Sequence, residues 1–196
     1  MASNYILGAH NSWSYLPPKH WWMRPFAFMA RCQRVDIRKQ YALGVRCFDL
    51  RIRFDGSGNH MVAHGSMVYG ITPKELHDDL LWLDAQGDCH VRLLHEVRRR
   101  RQHTALAVHD FRNLCRRWEA TFRHIRWWCG RNLFDWEKDY DFGVEPTCHE
   151  DYSSVSEPKY VDDWWPWLYA RMHNADIYAD GTDREILLMD YVDIRD

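Results

Sequence analysis

Short strand-like runs alternate with helical segments along this chain, and that order favours parallel pairing, because two parallel strands need a crossover between them. The first runs are residues 5–9, 45–52 and 60–63, set apart by stretches rich in Pro, Gly, Ser or Asn. Between the first two, residues 19–43 hold helical material over 26–41, where basic and apolar positions interleave. Within 54–59, Asp55-Gly56-Ser57-Gly58 reads as a tight turn joining the second and third strands, since glycine tolerates positive φ. Thr72-Pro73-Lys74-Glu75 is a helix start, with Thr as N-cap, Pro at the first helical position and Glu at the third. That helix is predicted to run to about Ala85, with Gln86-Gly87-Asp88 as its stop.

Residues 91–97 are a fourth strand candidate, followed by Arg98-Arg99-Arg100-Arg101. Residues 105–119 carry Leu106, Val108, Phe111, Leu114, Cys115 and Trp118 at amphipathic helical spacing. A fifth strand is expected at 124–129, a helix over 162–174 and a final buried strand at 185–192, while 130–160 is turn-rich and aromatic. The fold class expected is α/β, a (β/α) TIM-type barrel in one domain spanning residues 1–196. A full barrel takes about 250 residues. With 196 residues this one would be small or irregular.

A hydrophobic fraction of 46% with 28% charged residues is that of a globular chain. The formal net charge of −2 gives no reason to expect a nucleic-acid partner or a general attraction to anionic membrane. Met1 to Gly8 lack the basic start and apolar run of a secretory signal, and no apolar run approaches the ~20 residues of a membrane span. The expectation is a cytoplasmic protein. Six cysteines, at 32, 47, 89, 115, 129 and 148, form no C-x-x-C pair, which excludes a zinc ribbon and a thioredoxin-like redox motif. Buried free thiols, in keeping with a reducing compartment, are expected.

Three clusters at the strand ends carry chemistry. In Gly8-Ala9-His10-Asn11-Ser12 a histidine closes an apolar run, a place where a lone histidine is more often structural than catalytic. In Gly44-Val45-Arg46-Cys47-Phe48-Asp49-Leu50-Arg51, alternation puts Asp49 and Arg51 on one side of the strand and Phe48 and Leu50 on the other. In Val62-Ala63-His64-Gly65 a second histidine ends a strand. Two imidazoles can deprotonate an attacking oxygen and protonate a leaving one near neutral pH. A guanidinium between them can grip phosphoryl oxygens.

These motifs, His-Asn-Ser, then Gly-x-Arg-x-x-Asp-x-Arg, then His-Gly, resemble in order the N-terminal half of the phosphatidylinositol-specific phospholipase C catalytic domain in its bacterial version. The resemblance covers residues 7 to about 76, including Thr72-Pro73-Lys74-Glu75-Leu76, and returns at 187–192. It implies His10 as general base, His64 as general acid, Arg51 on the phosphate with Asp49 beside it as orienting partner, and Asp190 holding the base histidine in its tautomer. It also implies intramolecular attack by a neighbouring hydroxyl to give a cyclic phosphate. One departure stands out: the bacterial enzymes commonly carry Asp after the first histidine, and this chain has Asn11, which implies a weaker acid in His64. Asn at that position occurs in the calcium-dependent branch, but Arg51 occupies the place and charge of that metal. No metal or other cofactor is therefore expected, with calcium as the lesser alternative.

Glu96, at the end of the fourth strand, is expected to face the site, and Arg98 is a further substrate-binding candidate. A salt bridge and a solvated basic run are their plain readings. The expected partner is a phosphodiester small molecule or phospholipid head group. Trp21-Trp22, Trp127-Trp128 and Trp164-Trp165-Pro166-Trp167 are exposed-looking groups, and the family resemblance implies rim aromatics in peripheral contact with a lipid interface. Core packing is the competing reading. Two other functions stay open: a non-catalytic module binding phosphate or head groups, and a metal-dependent glycerophosphodiester phosphodiesterase, whose Glu-x-Asp metal pair Asp49-Leu50-Arg51 does not supply.

Overall fold

The computed structural model describes residues 5–55, 57–96, 105–132, 152–154, 165–181 and 186–195. The strands are β1 (Ile6–Ala9), β2 (Cys47–Phe54), β3 (His60–His64), β4 (Met67–Val68), β5 (His90–Glu96), β6 (Arg126–Asn132), β7 (Tyr152–Ser154) and β8 (Ile186–Met189). The helices are α1 (Ile37–Ala42), α2 (Pro73–Gln86), α3 (Ala105–Thr121) and α4 (Pro166–Asp180), with 3-10 segments at Ser12–Tyr15 and Trp21–Met29. Among these residues no helix is long and apolar enough to cross a membrane.

Strands β7, β8, β1, β2, β5 and β6 lie side by side in that order, each parallel to its neighbour. Among the described residues no pairing joins β6 to β7, so the (β/α) sheet is open where a closed barrel would be sealed. β3 and β4 add an antiparallel extension at the far end of β2. The turn expected over 54–59 does join β2 to β3, with Asp55 accepting from the backbone N–H of Ser57 and Asn59.

Local chemistry explains the helices. Thr72 and Glu75 form a reciprocal capping box with Pro73 inside it, and Gly87, at φ 80°, ends α2 in the left-handed region. Asp36 caps α1 by accepting from the Lys39 N–H. The continuous helix expected over 26–41 does not form. Pro25 lies inside the 3-10 segment Trp21–Met29, and the backbone between that segment and α1 is engaged elsewhere. The N–H groups of Cys32 and Gln33 donate to Ser14 Oγ, and the Cys32 carbonyl accepts from Tyr191 N–H. The final strand is also shorter than expected, because the chain turns after Met189 and Tyr191 sits at φ 44°.

Alternation divides the sheet into two faces. On one face Phe48, Leu50, Ile52, Val91, Leu93, Trp127, Leu187 and Met189 pack against Leu76, Leu80 and Leu83 of α2 and Phe111, Leu114 and Trp118 of α3. Each such side chain contributes roughly 1.5–3 kcal/mol on burial. Trp127 and Trp128 are both buried, correcting the expectation that this pair is exposed; a strand covered on both sides hides consecutive residues. On the other face Cys47, Trp128, Ile186 and Leu188, with Ile6, make a small apolar floor. One step further along the same strands, that face turns polar. Among the described residues Cys32, Cys47, Cys89 and Cys115 are all buried, and Cys32 and Cys89 are free thiols.

Gly8 lies in the floor because nothing larger fits. A Cβ there would sit 2.9 Å from Leu188 Cδ1 and 3.2 Å from Ile186 Cγ2. Gly8→Ala should therefore destabilise the fold by about 1–3 kcal/mol, read as a lower urea midpoint. An unchanged midpoint would mean that the floor is looser than these contacts require.

Candidate active site

Register assembles the site. In the β1–β8 pair Gly8 faces Leu188 and Ala9 faces Met189, so the next residues, His10 and Asp190, come level. In the β1–β2 pair Gly8 faces Cys47 and Ala9 faces Phe48, which brings His10 level with Asp49. β5 covers one edge of β2 over Cys47–Ile52, so β1, paired at Cys47 and Phe48, and β3, paired from Ile52 on, share the other edge. β1 runs with β2 and β3 against it. Their terminal histidines therefore approach one another along a single edge, next to Asp49 and Arg51. The two rings end 5.6 Å apart, centroid to centroid, at 82°.

Nδ1 of His10 lies 2.7 Å from Asp190 Oδ1, and Nε2 lies 2.7 Å from Arg51 Nη2. A guanidinium can only donate, so Nε2 must accept, and the ring proton sits on Nδ1 and donates to Asp190. Arg51 Nε donates to Asp49 Oδ2 at 2.8 Å, and its Nη1 lies 3.7 Å from Glu96 Oε2. Asp49 also accepts from the Asn11 N–H at 2.9 Å and from Arg92 Nη1 at 3.4 Å. Burial alone would raise the Asp49 carboxyl, but Arg51, Arg92, His10 and the Asn11 N–H together hold it well below the usual carboxylate range. Arg51 shifts the opposite way and is raised: burial works against its charge, and Asp49 and Glu96 outweigh it.

His64, half-buried at the end of β3, places Nδ1 3.2 Å from the Ala30 carbonyl. Burial and the Arg51 charge push it down to about 4, against an upward pull from Glu96. Glu96 Oε1 accepts from the Gly65 N–H at 2.6 Å, tying the end of β3 to Arg51. Asn11, in the left-handed region at φ 46°, directs its Nδ2 to the Tyr69 hydroxyl at 3.1 Å and to the Ala30 carbonyl at 3.3 Å.

Deeper supports hold these groups. Ser12 Oγ donates to the Ala9 carbonyl and accepts from the Asp49 N–H. Gln33 Nε2 donates to the carbonyls of His10 and Met189. Asn174 of α4 reaches the carbonyls of Asp190, Tyr191 and Ile194, clamping the turn that carries Asp190.

His10, Asn11, Asp49, Arg51, His64, Glu96 and Asp190 thus lie together. Arg98 lies outside the described residues. Sequence reasoning missed Arg92, although alternation on β5 puts it on the same face as Glu96. It also missed Cys32, buried with Sγ 4.0 Å from His64 Nδ1, and nothing in the local sequence signals that contact. Burial, reinforced by Asp190, pushes the Cys32 thiol up. One donor atom each from His10, Cys32 and His64 lie within 4.8 Å of one another. Asp49 is engaged by Arg51, Arg92 and Asn11, so the site offers calcium few of the oxygens it requires.

No protein-family model and no curated protein sequence matches the chain. Solved structures do match. The phosphatidylinositol-specific phospholipase C from Listeria monocytogenes is 12% identical with a TM-score of 0.60, over 97% of this chain and 89% of that one. A double mutant of the Staphylococcus aureus enzyme is 15% identical with a TM-score of 0.63, over 96% and 85%. A further S. aureus structure, concerned with modulation of that enzyme's membrane binding, is 14% identical with a TM-score of 0.57, over 96% and 86%. The chain has the fold of these bacterial phospholipases C.

The electrostatics predict a measurable titration. In NMR the His64 midpoint should lie well below the ordinary value of 6.5, near 4, and Arg51→Gln should raise it by removing the adjacent positive charge. A wild-type midpoint at 6.5, unmoved by the substitution, would contradict the geometry.

Proposed function

We propose that the chain is a metal-independent phosphodiesterase that cleaves a phosphodiester bearing a neighbouring hydroxyl, with His10 as general base and His64 as general acid. One observation carries the reading: the line Asp190–His10–Arg51 presents a lone pair on His10 Nε2 beside a guanidinium, with a second imidazole 5.6 Å away.

When substrate enters, a phosphoryl oxygen takes the Arg51 donor and frees Nε2 for the attacking hydroxyl. The hydroxyl oxygen bonds to phosphorus as its proton passes to Nε2, and Asp190 stabilises the imidazolium that forms. The bond from phosphorus to the leaving oxygen breaks as protonated His64 gives that oxygen its proton. The products are a cyclic phosphodiester and an alcohol. Hydrolysis of the ring reverses the roles, with His64 accepting a proton from water and His10 returning its own to the ring oxygen. Asp49 and Glu96 keep Arg51 aimed, and no step requires a metal. Asn11 contributes through its backbone N–H on Asp49.

The substrate class we favour is a phospholipid head group. Trp21 and Trp22 are 77% and 56% exposed, and Phe26, Phe28 and Met29 on the same 3-10 segment are exposed too. Phe28 meets the ring of Trp165 at 5.6 Å. This aromatic surface runs directly into Ala30, whose carbonyl touches His64, Asn11 and Tyr69. Rings of this kind favour the lipid–water interface, and docking through them would hold head groups at the site.

Turnover of inositol, glycerol and sugar phosphodiesters, followed by phosphorus NMR, should show a cyclic phosphate that persists with excess chelator. His10→Ala and His64→Ala should each lose about 10²-fold or more in kcat. Because the acid must be protonated and burial depresses its pKa, the limb on which kcat/KM falls with rising pH should begin below pH 6.5. No turnover of any of these substrates, with phosphate-ester binding that survives both substitutions, would leave a binding module instead. The double variant Trp21→Ala/Trp22→Ala should reduce sedimentation with phosphatidylinositol-containing vesicles and leave turnover of a soluble substrate unchanged. Equal sedimentation would remove the interfacial role.

A further inference from the structure

We infer that His10, Cys32 and His64 form a binding site for a soft transition-metal cation, with zinc as the model ion, and that occupancy switches the catalytic site off. The inhibitory part rests on the function proposed above; the binding part does not.

The donor set is two imidazoles and a thiol, a combination that suits zinc and its neighbours and disfavours calcium or magnesium. One donor from each lies within 4.8 Å of the others. Donors around a tetrahedral zinc, with bonds of about 2.0–2.3 Å, stand roughly 3.5 Å apart, so side-chain shifts of about 1 Å would close the site. His10 already has the arrangement a ligating histidine needs: Nδ1 donates to the Asp190 carboxylate, which orients the ring and leaves the Nε2 lone pair for the ion. His64 turns Nδ1 toward Cys32 at 4.0 Å and would exchange its 3.2 Å contact with the Ala30 carbonyl for the metal. A fourth position is open to water or to Asn11 Oδ1, a buried oxygen without a hydrogen-bond partner among the described residues.

Charge does not forbid the ion. Arg51 and Arg92 face Asp49, Glu96 and Asp190, so the carboxylates outnumber the guanidiniums. Binding would release the Cys32 thiol proton, so a divalent ion adds one net positive charge. Arg51 would have to leave His10 Nε2, and its bonds to Asp49 and its approach to Glu96 hold it when it does. With metal bound, the base has no lone pair, and His64, held through Nδ1, is a neutral imidazole and not the imidazolium that protonates the leaving oxygen. Both proton transfers then stop.

Cobalt(II) reports the site without reference to activity. Added to wild type, it should give a thiolate-to-cobalt charge-transfer band with one-to-one stoichiometry, displaced by zinc and absent in Cys32→Ser. In calorimetry Cys32→Ser should bind zinc more weakly by about 10–100-fold, at least what the loss of an outer-shell partner brings. Zinc inhibition, reversible by chelator in wild type and read for each protein against its own metal-free rate, should weaken by the same factor in Cys32→Ser. No charge-transfer band, or equal zinc affinity in wild type and Cys32→Ser, overturns the site. If no phosphodiester is turned over, the catalytic reading fails and the cobalt band still decides the metal site. A band in wild type together with turnover that zinc leaves untouched would overturn the switch.

Discussion

A line of buried hydrogen bonds, Asp190 to His10 to Arg51 to Asp49, sets the conditions that the rest of the structure meets. Its members come from three adjacent parallel strands and are all buried. A one-residue slip of β1 against either neighbour would turn His10 to the helix-covered face and leave Asp49, Arg51 and Asp190 without it. Charges taken out of water are costly unless they are paired and hydrogen-bonded. Asp49 meets that requirement by facing two guanidiniums and a backbone N–H, while Arg51 faces a second carboxylate in Glu96. The network is weak grounds for overall stability and good grounds for a unique register, because each wrong pairing strands a buried charge.

The two histidines illustrate how topology substitutes for sequence proximity. β2 runs past the end of β1, and β3 returns along the same edge. The two imidazoles are therefore delivered from opposite directions to one short stretch of β2. The antiparallel β2–β3 hairpin inside an otherwise parallel sheet is what makes the meeting possible, and Glu96, reaching from β5 to Gly65, holds the end of that hairpin in place.

Much of this was legible before the structure. Alternation placed Asp49 and Arg51 on one face, the capping residues around Thr72 marked α2, and the histidines at strand ends marked the site. Other features carried no readable signal, for physical reasons. Residues 30–36 look helical by composition, but their backbone groups serve Ser14, Tyr191, Asn11 and His64, and such main-chain engagements leave no periodic trace. Consecutive tryptophans at 127 and 128 look exposed until both faces of β6 are seen to be covered. Arg92 was within reach of the same alternation that identified Asp49, but a charged residue mid-strand reads more readily as a solvated edge. β7 is too short for any pattern to announce it.

The span between His10 and Asp190 has a further consequence. β1 occupies the middle of the sheet, yet its neighbour β8 comes from far along the chain: His10 and Asp190, which follow the two strands, are 180 residues apart. Until β8 is made, one edge of β1 lacks its native partner, and Gln33, whose side chain stitches His10 to Met189 and Val192, has nothing to bind on that side. Contacts of such long sequence separation form late and slowly. The buried charges on β2 thus lack their full set of partners until β8 docks beside β1, and the line from Asp190 to Asp49 cannot close before then.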